Sequence, residues 1–389
     1  MTSLATRWYI ACFLREALPI FPVYALMMTR HGITPLQLST LFIVWSGTAA
    51  IAEVPTGMLA DLVTRRWLLA LSCLLRTFAF LLWLVVPQFW SYCAGFVLWG
   101  IASSLWSGTA EALLFETLAE RNATHTFPTI YARGAAMATI GIALGLATGG
   151  WLATFGFALP VLISAALPLL TATLLITMFG NPPRTATAHD DAPRTPLAQA
   201  LRDFRTNADI RALALLFAGV LSFAAAFDEY FSLLLDAVGQ NLTSIGLIFA
   251  AIHGVRAISM AAAARFTALG PLPISVGAGA VLLAALGSRN AAAIIVSCVL
   301  YFGLNAFAEV RASIQLQTTM SGAARATVTS LASFGPHVTE VGIFLLIGWL
   351  TTGRDYTAAA WVAGIGTTLV AALLWMQKWR AAHAMRLNG

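Results

Sequence analysis

Charged side chains are scarce in this sequence. Asp, Glu, Lys and Arg make up 10% of its 389 residues, against about 25% in soluble domains. Hydrophobic residues make up 59%, too many for a soluble fold of this length to hide. Lysine is nearly absent: Lys378 stands alone among arginines. Cysteine is rare, and Cys12, Cys73, Cys93 and Cys298 all lie inside apolar runs without disulfide or metal-ligand spacing. That excludes a disulfide scaffold. There is no Gly-x-x-x-x-Gly-Lys phosphate loop, so ATP is not the direct energy source. There is no Gly-x-Ser-x-Gly elbow, and His31, His125, His189, His253, His337 and His383 are dispersed, with no metal-binding pair among them. No enzyme chemistry, cofactor or metal is expected. The net charge of +6 does not point to nucleic acid, because the arginines are scattered singly and form no phosphate-binding face.

What is present is apolar sequence, run after run, each long enough for a bilayer crossing of ~20 residues. Twelve spans are predicted, at about 7–29, 36–60, 67–86, 89–115, 128–154 and 157–179, then 209–235, 243–265, 272–288, 291–313, 326–351 and 356–379. The first contains Arg15 and Glu16 and is followed by no small-residue cleavage site, so it reads as a retained span. The expected fold is an all-α integral membrane protein of twelve transmembrane helices in two six-helix bundles. An N-terminal bundle (1–179) and a C-terminal bundle with a short tail (209–389) flank a central loop, 180–208, with four prolines and the paired Asp190 and Asp191. Within the loop Leu197, Leu201 and Phe204 recur at i, i+4, i+7, so 196–206 is predicted to be an amphipathic surface helix. Six spans, a loop and six spans suggest two repeats related by an axis along the membrane normal.

Arginine counts give the orientation. One side carries Arg7, Arg65, Arg66, Arg121, Arg184, Arg194, Arg202, Arg205, Arg265, Arg311, Arg325, Lys378, Arg380 and Arg386, while the other carries Arg30, Arg289 and Arg354. The positive-inside bias puts both termini and the central loop in the cytoplasm. Arginine over lysine and abundant alanine suggest a GC-rich bacterial genome, and hence an inner membrane.

Between the second and third spans lies Gly57-Met-Leu-Ala-Asp61-Leu-Val-Thr-Arg65-Arg66. An acid at a helix C-terminus opposes the helix dipole, and Arg65, one turn beyond Asp61, compensates it. Gly57, one turn before, allows close helix approach. This stretch resembles the loop signature of the major facilitator superfamily, Gly-x-x-x-Asp-x-x-Gly-Arg-Arg or Lys, with Thr64 in the place of the second glycine. The resemblance implies a cytoplasmic latch that holds the two bundles together when the transporter faces outward. It is joined by an acid ending span four, for which Glu116 is the candidate. Span five holds Gly141-x-x-x-Gly145-Leu146-x-x-Gly149-Gly150, a smooth stripe on one helix face. It is similar to the superfamily's antiporter glycine motif, with Leu146 where proline is usual and Ala132 where an earlier glycine is usual. The mid-span-four arginine of many drug–proton antiporters has no counterpart, since 96–107 carries no charge.

A charge at mid-membrane costs about 2.5–3.5 kcal/mol, so each needs a reason. The deep candidates are Arg15, Glu16, Arg76, Asp228, Glu229, Arg256 and Glu340, with Glu53, Glu111, Arg133, Glu309 and Arg311 nearer the cytoplasmic ends. Arg15 and Glu16 are consecutive and point about 100° apart, so Arg76 is expected to neutralise Glu16 across the bundle. Asp228 and Glu229, flanked by aromatics, suit a cation-attracting or proton-accepting cavity, and Arg256 is the expected counter-charge of the span-seven or the span-eleven acids. His337 and Glu340 share a face beside a kink at Pro336, as do Asn305 and Glu309 in span ten. The tryptophans and phenylalanines are expected to be mostly lipid-facing or interfacial, with room for a few to line an apolar substrate cavity, which spacing does not single out.

The expected function is secondary active transport by a monomer in which two bundles rock around a midplane site. The partners are a small-molecule substrate, protons and the lipid bilayer. Proton-coupled export of a small amphipathic compound is the leading reading, with proton symport of a polar or anionic solute, favoured by Arg15, Arg76 and Arg256, as the alternative.

Overall fold

The computed structural model describes residues 2–178, 213, 215–263, 265–266, 268–319, 336 and 338–387, without the side chains of 2, 3, 54, 61, 217, 218, 316–319 and 381–387. The amphipathic helix expected at 196–206 lies outside the described residues, as does His337. Everything regular that is described is helical. In chain order the helices are α1 (Thr2–Glu16), α2 (Tyr24–Arg30), α3 (Pro35–Leu62), α4 (Arg65–Val85), α5 (Phe89–Trp106), α6 (Thr109–Glu120), α7 (Phe127–Ala153) and α8 (Ala158–Met178). A π-helical turn, Leu216–Leu221, leads into α9 (Ser222–Ala237), followed by α10 (Leu242–Ala263), α11 (Pro271–Ser288) and α12 (Ala291–Thr319). The last two are α13 (Val338–Leu350) and α14 (Thr357–Leu387). All twelve predicted spans contain helix, and the fold is two bundles of six spans. Among the described residues eight helices are long and apolar enough to cross a membrane: α3, α4, α7, α8, α10, α11, α12 and α14.

Two spans expected to be continuous are broken. Span one stops at Glu16 and resumes at Tyr24, because Pro19 and Pro22 lack the N–H that would continue the ladder. The freed backbone is satisfied by protein, as a membrane interior requires: the Ile20 amide donates to the Ser164 hydroxyl on α8 at 3.0 Å. Span four breaks between α5 and α6 at Gly108, whose φ of 69° is the left-handed conformation that glycine tolerates. Elsewhere the ends follow local sequence. Thr34 and Gln37 form a capping box with Pro35 in the first turn of α3, and Asn241 and Asn290 accept the amides of Ser244 and Ala293 at the starts of α10 and α12.

The chain separates into two units. The first holds the described residues up to 178 together with Gln240–Ala250, the start of α10. In it α3 packs on α5, α4 on α5 and α8, and α1 on α7 and α8. Hydroxyls tie these helices together where no water competes: Ser72 donates to Ala102 O, Thr77 to Ala165 O and Ser104 to Ala49 O. The glycines of α7 let it approach the broken span one. Gly141 faces Phe13 and Ala17, Gly145 faces Ala17 and Leu18, and Gly149 faces Pro19 and Pro22, while Gly150 meets Leu242 and Gly246 of α10. In the second unit α11 packs between α12 and α14, and α9 packs on α14.

The expectation for the aromatics holds at the periphery and fails in the interior. Trp90, Trp151, Trp349 and Trp379 are exposed, but Phe42, Phe80, Trp83, Tyr92 and Phe96 are fully buried beside Tyr24 and Trp99. Rings with centroids 4.9–6.2 Å apart in edge, tilted and stacked contacts fill a wide interior with few side chains.

Candidate functional site

The charged residues singled out in the sequence fall into three clusters. The first lies at the C-terminal end of α1. Arg15 forms an ion pair with Glu16, its neighbour in sequence. The expected Arg76–Glu16 pair does not form. Because α1 ends at Glu16, its last carbonyls are open, and Arg76 Nη1 donates to the Arg15 carbonyl at 3.2 Å, so Arg76 caps a helix C-terminus whose dipole favours a cation. The guanidinium of Arg76 also lies 5.3 Å from the Trp99 ring and 5.5 Å from that of Phe21, and Arg15 lies 4.1 Å from the ring of Trp106. Arg15 thus takes the carboxylate of Glu16, while Arg76 takes a backbone carbonyl. Arg76 Nε and the indole N–H of Trp45 are buried donors without a partner, and Trp45 packs 5.4 Å from Trp99. The three tryptophans and Phe21 escaped the sequence reading, because span-four and span-two aromatics carry no spacing signal that tells an inward from a lipid-facing ring.

The second cluster is a cavity of about 310 Å³ in the second unit. Leu221, Ala224, Ala225 and Asp228 line it from the π turn and α9, with Glu229 beside them. Phe302, Asn305, Ala306 and Glu309 line it from α12, with Arg256 from α10, Pro336, and Glu340 from α13. On both α9 and α12 the lining residues repeat at i, i+3, i+4, i+7, one face of a helix. Alanines at the middle of each stripe leave the space, and an acid closes each stripe. Glu309, expected towards the cytoplasmic end of its span, lines the same cavity as Asp228, Glu229 and Glu340. Arg311 is buried and donates from Nε to the Leu269 carbonyl at 3.2 Å. Asn305 donates from Nδ2 to the Tyr301 carbonyl at 2.9 Å.

The third cluster is the corner between α3 and α4. Arg65 Nη1 lies 3.2 Å from Glu116 Oε1, and both residues line a cavity of about 530 Å³ together with Gly57, Gly108, Glu111 and Phe127. The Asp61 side chain lies outside the described ones. Arg66 sits over the ring of Trp67 at 5.1 Å. Gly57 does not serve a close approach in this unit: it is exposed, and a Cβ added to it would meet nothing within 4 Å. Its place is the wall of an open cavity. Glu111 accepts a hydrogen bond from the Tyr131 hydroxyl, a pairing between different helices that sequence spacing does not reveal.

Interrupted helices, interior charges and an acid-lined cavity in an all-helical membrane fold are the architecture of a transporter. The family model of the Major Facilitator Superfamily matches residues 9–339. The chain belongs to the major facilitator superfamily. Solved structures of superfamily-like shape cover nearly all of it. The nucleoside transporter NupG aligns over 96% of this chain and 98% of its own, with TM-score 0.79 and 14% identity. A bacterial homologue of the human lysosomal transporter Spinster, inward-facing and occupied, aligns over 97% and 96%, with TM-score 0.73 and 15% identity. The D-xylose–proton symporter aligns over 96% of each chain, with TM-score 0.69 and 14% identity. At such identities the likeness is one of fold. No curated protein sequence matches the chain. As a superfamily member it is a multi-pass membrane transporter of small molecules.

Proposed function

We propose that the chain is a proton-coupled secondary transporter that exports a small amphipathic organic compound by alternating access. The observation that carries the coupling is the surplus of acids in the second unit: among the described residues lining the 310 Å³ cavity, Asp228, Glu229, Glu309 and Glu340 face the single guanidinium of Arg256. Carboxyls inside a membrane are retained where they move ions or substrates, and protons are the ions the membrane gradient supplies. The glycine stripe of α7 and the aromatic interior favour export. In this reading the corner Gly57, Asp61, Arg65 and Arg66 with Glu116 is the cytoplasmic latch. The protein works as a monomer in a bacterial inner membrane with both termini in the cytoplasm. The domains are an N-terminal bundle (1–179), a central loop (180–208) and a C-terminal bundle (209–389).

A proteoliposome assay with an imposed pH gradient, run over a panel of small cationic, neutral and anionic compounds, tests the proposal. Gradient-driven flux of at least one compound is expected, with Glu229→Gln lowering it by roughly tenfold or more, the equivalent of losing one charge contact. Flux that ignores the gradient in the wild-type protein would overturn the coupling.

The alternative, proton symport of an anionic solute, rests on a different observation: Glu16 pairs with Arg15, Arg76 reaches a backbone carbonyl and no carboxylate among the described residues, and Arg76 Nε and Trp45 Nε1 are buried donors with no acceptor. Accumulation of an anionic compound by whole cells, with no efflux from them and none into everted vesicles, would favour it.

A further inference from the structure

We infer that the cavity of the second unit binds a small organic cation bearing N–H donors, a protonated amine with an apolar body. This names the cargo class of the site on which the proposed function rests.

Four features of the cavity converge on that chemistry. Its volume, about 310 Å³, is at the lower end of the range for pockets that hold small organic ligands, and the alanines at 224, 225 and 306 leave room that longer side chains would fill. Its charge is one-sided, with four carboxyls against one guanidinium, and a low-dielectric cleft lined by one sign of charge concentrates the opposite ion. Its carboxyls are spread over α9, α12 and α13, and among the described residues no three of the His, Cys, Asp and Glu side chains converge as a metal site would need. The spread suits a molecule with extent better than a bare ion. Finally, its unmet hydrogen-bonding capacity is of one kind. Asn305 is 2% exposed, and its Oδ1 has no partner. The orientation of this amide is fixed by chemistry: Nδ2 donates to the Tyr301 carbonyl, and turning the amide over would set oxygen against oxygen. Asp228 Oδ1 is likewise buried and unpartnered. Both orphans are acceptors lining one cavity, so the missing group is a donor. An ammonium supplies up to three N–H donors and the positive charge together. Leu221, Phe302 and Pro336 supply apolar wall for the rest of the ligand, and the Phe302 ring can also face the cation.

The test is equilibrium binding to the purified full chain in lipid nanodiscs, with no gradient, using radiolabelled 2-phenylethylamine. Benzylamine and 4-phenylbutylamine vary the length, 2-phenylethanol and 3-phenylpropionate vary the charge, and phenylethyltrimethylammonium keeps the charge without any N–H. Saturable binding of at least one primary amine is expected. The amine should compete roughly tenfold or more better than the matched alcohol and carboxylate, with the trimethylammonium ion also weaker than the amine. Asn305→Leu and Asp228→Asn should each weaken binding by roughly tenfold, and Asp228→Glu should retain more affinity than Asp228→Asn, each variant being compared only when it elutes as the wild type does on size exclusion. The ligand series needs no variant. If no amine binds more tightly than the alcohol and carboxylate, the cavity serves protons only and the inference falls. It also falls if binding survives both Asn305→Leu and Asp228→Asn unchanged. Failure of transport reads differently: an amine that binds and is not moved by a pH gradient leaves this site standing and removes the proton-coupled reading. Gradient-driven flux of a neutral compound without amine binding does the reverse.

Discussion

Glu16 is the ion-pair partner of Arg15, and that defines what its removal does. Glu16→Gln leaves Arg15 without that partner beside the like charge of Arg76. Breaking a fully buried pair costs about 3–5 kcal/mol; here the side chains of Arg15 and Glu16 keep 19% and 16% exposure, so solvent screening lowers the expectation to about 1–3 kcal/mol. Arg15→Gln added to Glu16→Gln should restore part of that loss, a coupling that a double-mutant cycle of thermal unfolding in detergent reads directly. His31 offers a second test, of pH dependence. It lies in the turn after α2, where its Nδ1 is 2.6 Å from the Tyr92 hydroxyl and its ring stacks on that of Tyr92. Desolvation there pushes its pKa below the ordinary 6.5. A histidine whose folded pKa is lowered binds its proton more readily when unfolded. The His31 contribution to stability is therefore whole above about pH 6.5 and declines as the pH falls from there towards the lower folded pKa. The ring is still largely exposed, which keeps the effect small. His31→Gln should make the melting temperature flatter between pH 7.5 and 5.5; an unchanged slope would show that the drop, if any, arises elsewhere.

At the scale of the helix, the glycines separate into those that pack and those that border space. A methyl added to Gly145 would stand 2.7 Å from the Leu18 backbone nitrogen, and backbone cannot swing aside as a side-chain tip can. Gly145→Ala is expected to destabilise by about 1–3 kcal/mol, the usual range for overpacking. At Gly57 nothing lies within 4 Å, so Gly57→Ala should be neutral or stabilising by about 0.5–1 kcal/mol through helix propensity alone. Paired melting curves check both, and equal effects at the two positions would contradict the packing described here. The same pair shows what a sequence can disclose. The span pattern, the corner between α3 and α4 and the smooth stripe on α7 are written in local spacing, which survives in one dimension. The breaks at Pro19–Pro22 and Gly108 were also local, but apolar runs on either side masked them, since hydropathy is blind to a missing N–H. The Arg76 contact was out of reach for another reason. Its partner is a carbonyl that becomes available only because α1 stops at Glu16, so an error in one element was carried into the pairing of the next. The acid-lined cavity was half legible: the residues were singled out one by one, whereas the alanines between them, which make the space, looked like ordinary helix formers.

For the molecule as a whole, the proposed orientation rests on the distribution of arginine, and one of the segments that carries it, the corner at Arg65, also makes the pair with Glu116. The corner at Arg65 and Arg66 and the turn at Arg121 belong to one side, while Arg30, Arg289 and Arg354 are the few cations of the other. In the proposed orientation, retention of positive loops in the cytoplasm puts the α3–α4 and α6–α7 turns inside and the α4–α5 turn outside. The native cysteines are buried or half-buried within spans, so a background with all four replaced by alanine is a workable host for single reporters. Gln88, at the start of α5, and Thr124, in the turn before α7, are both exposed. In intact cells a membrane-impermeant maleimide should label Gln88→Cys, while Thr124→Cys should stay unlabelled until the membrane is opened. The opposite pattern would invert the chain. It would put the Arg65–Glu116 pair on the outer face, where a cytoplasmic latch has no meaning.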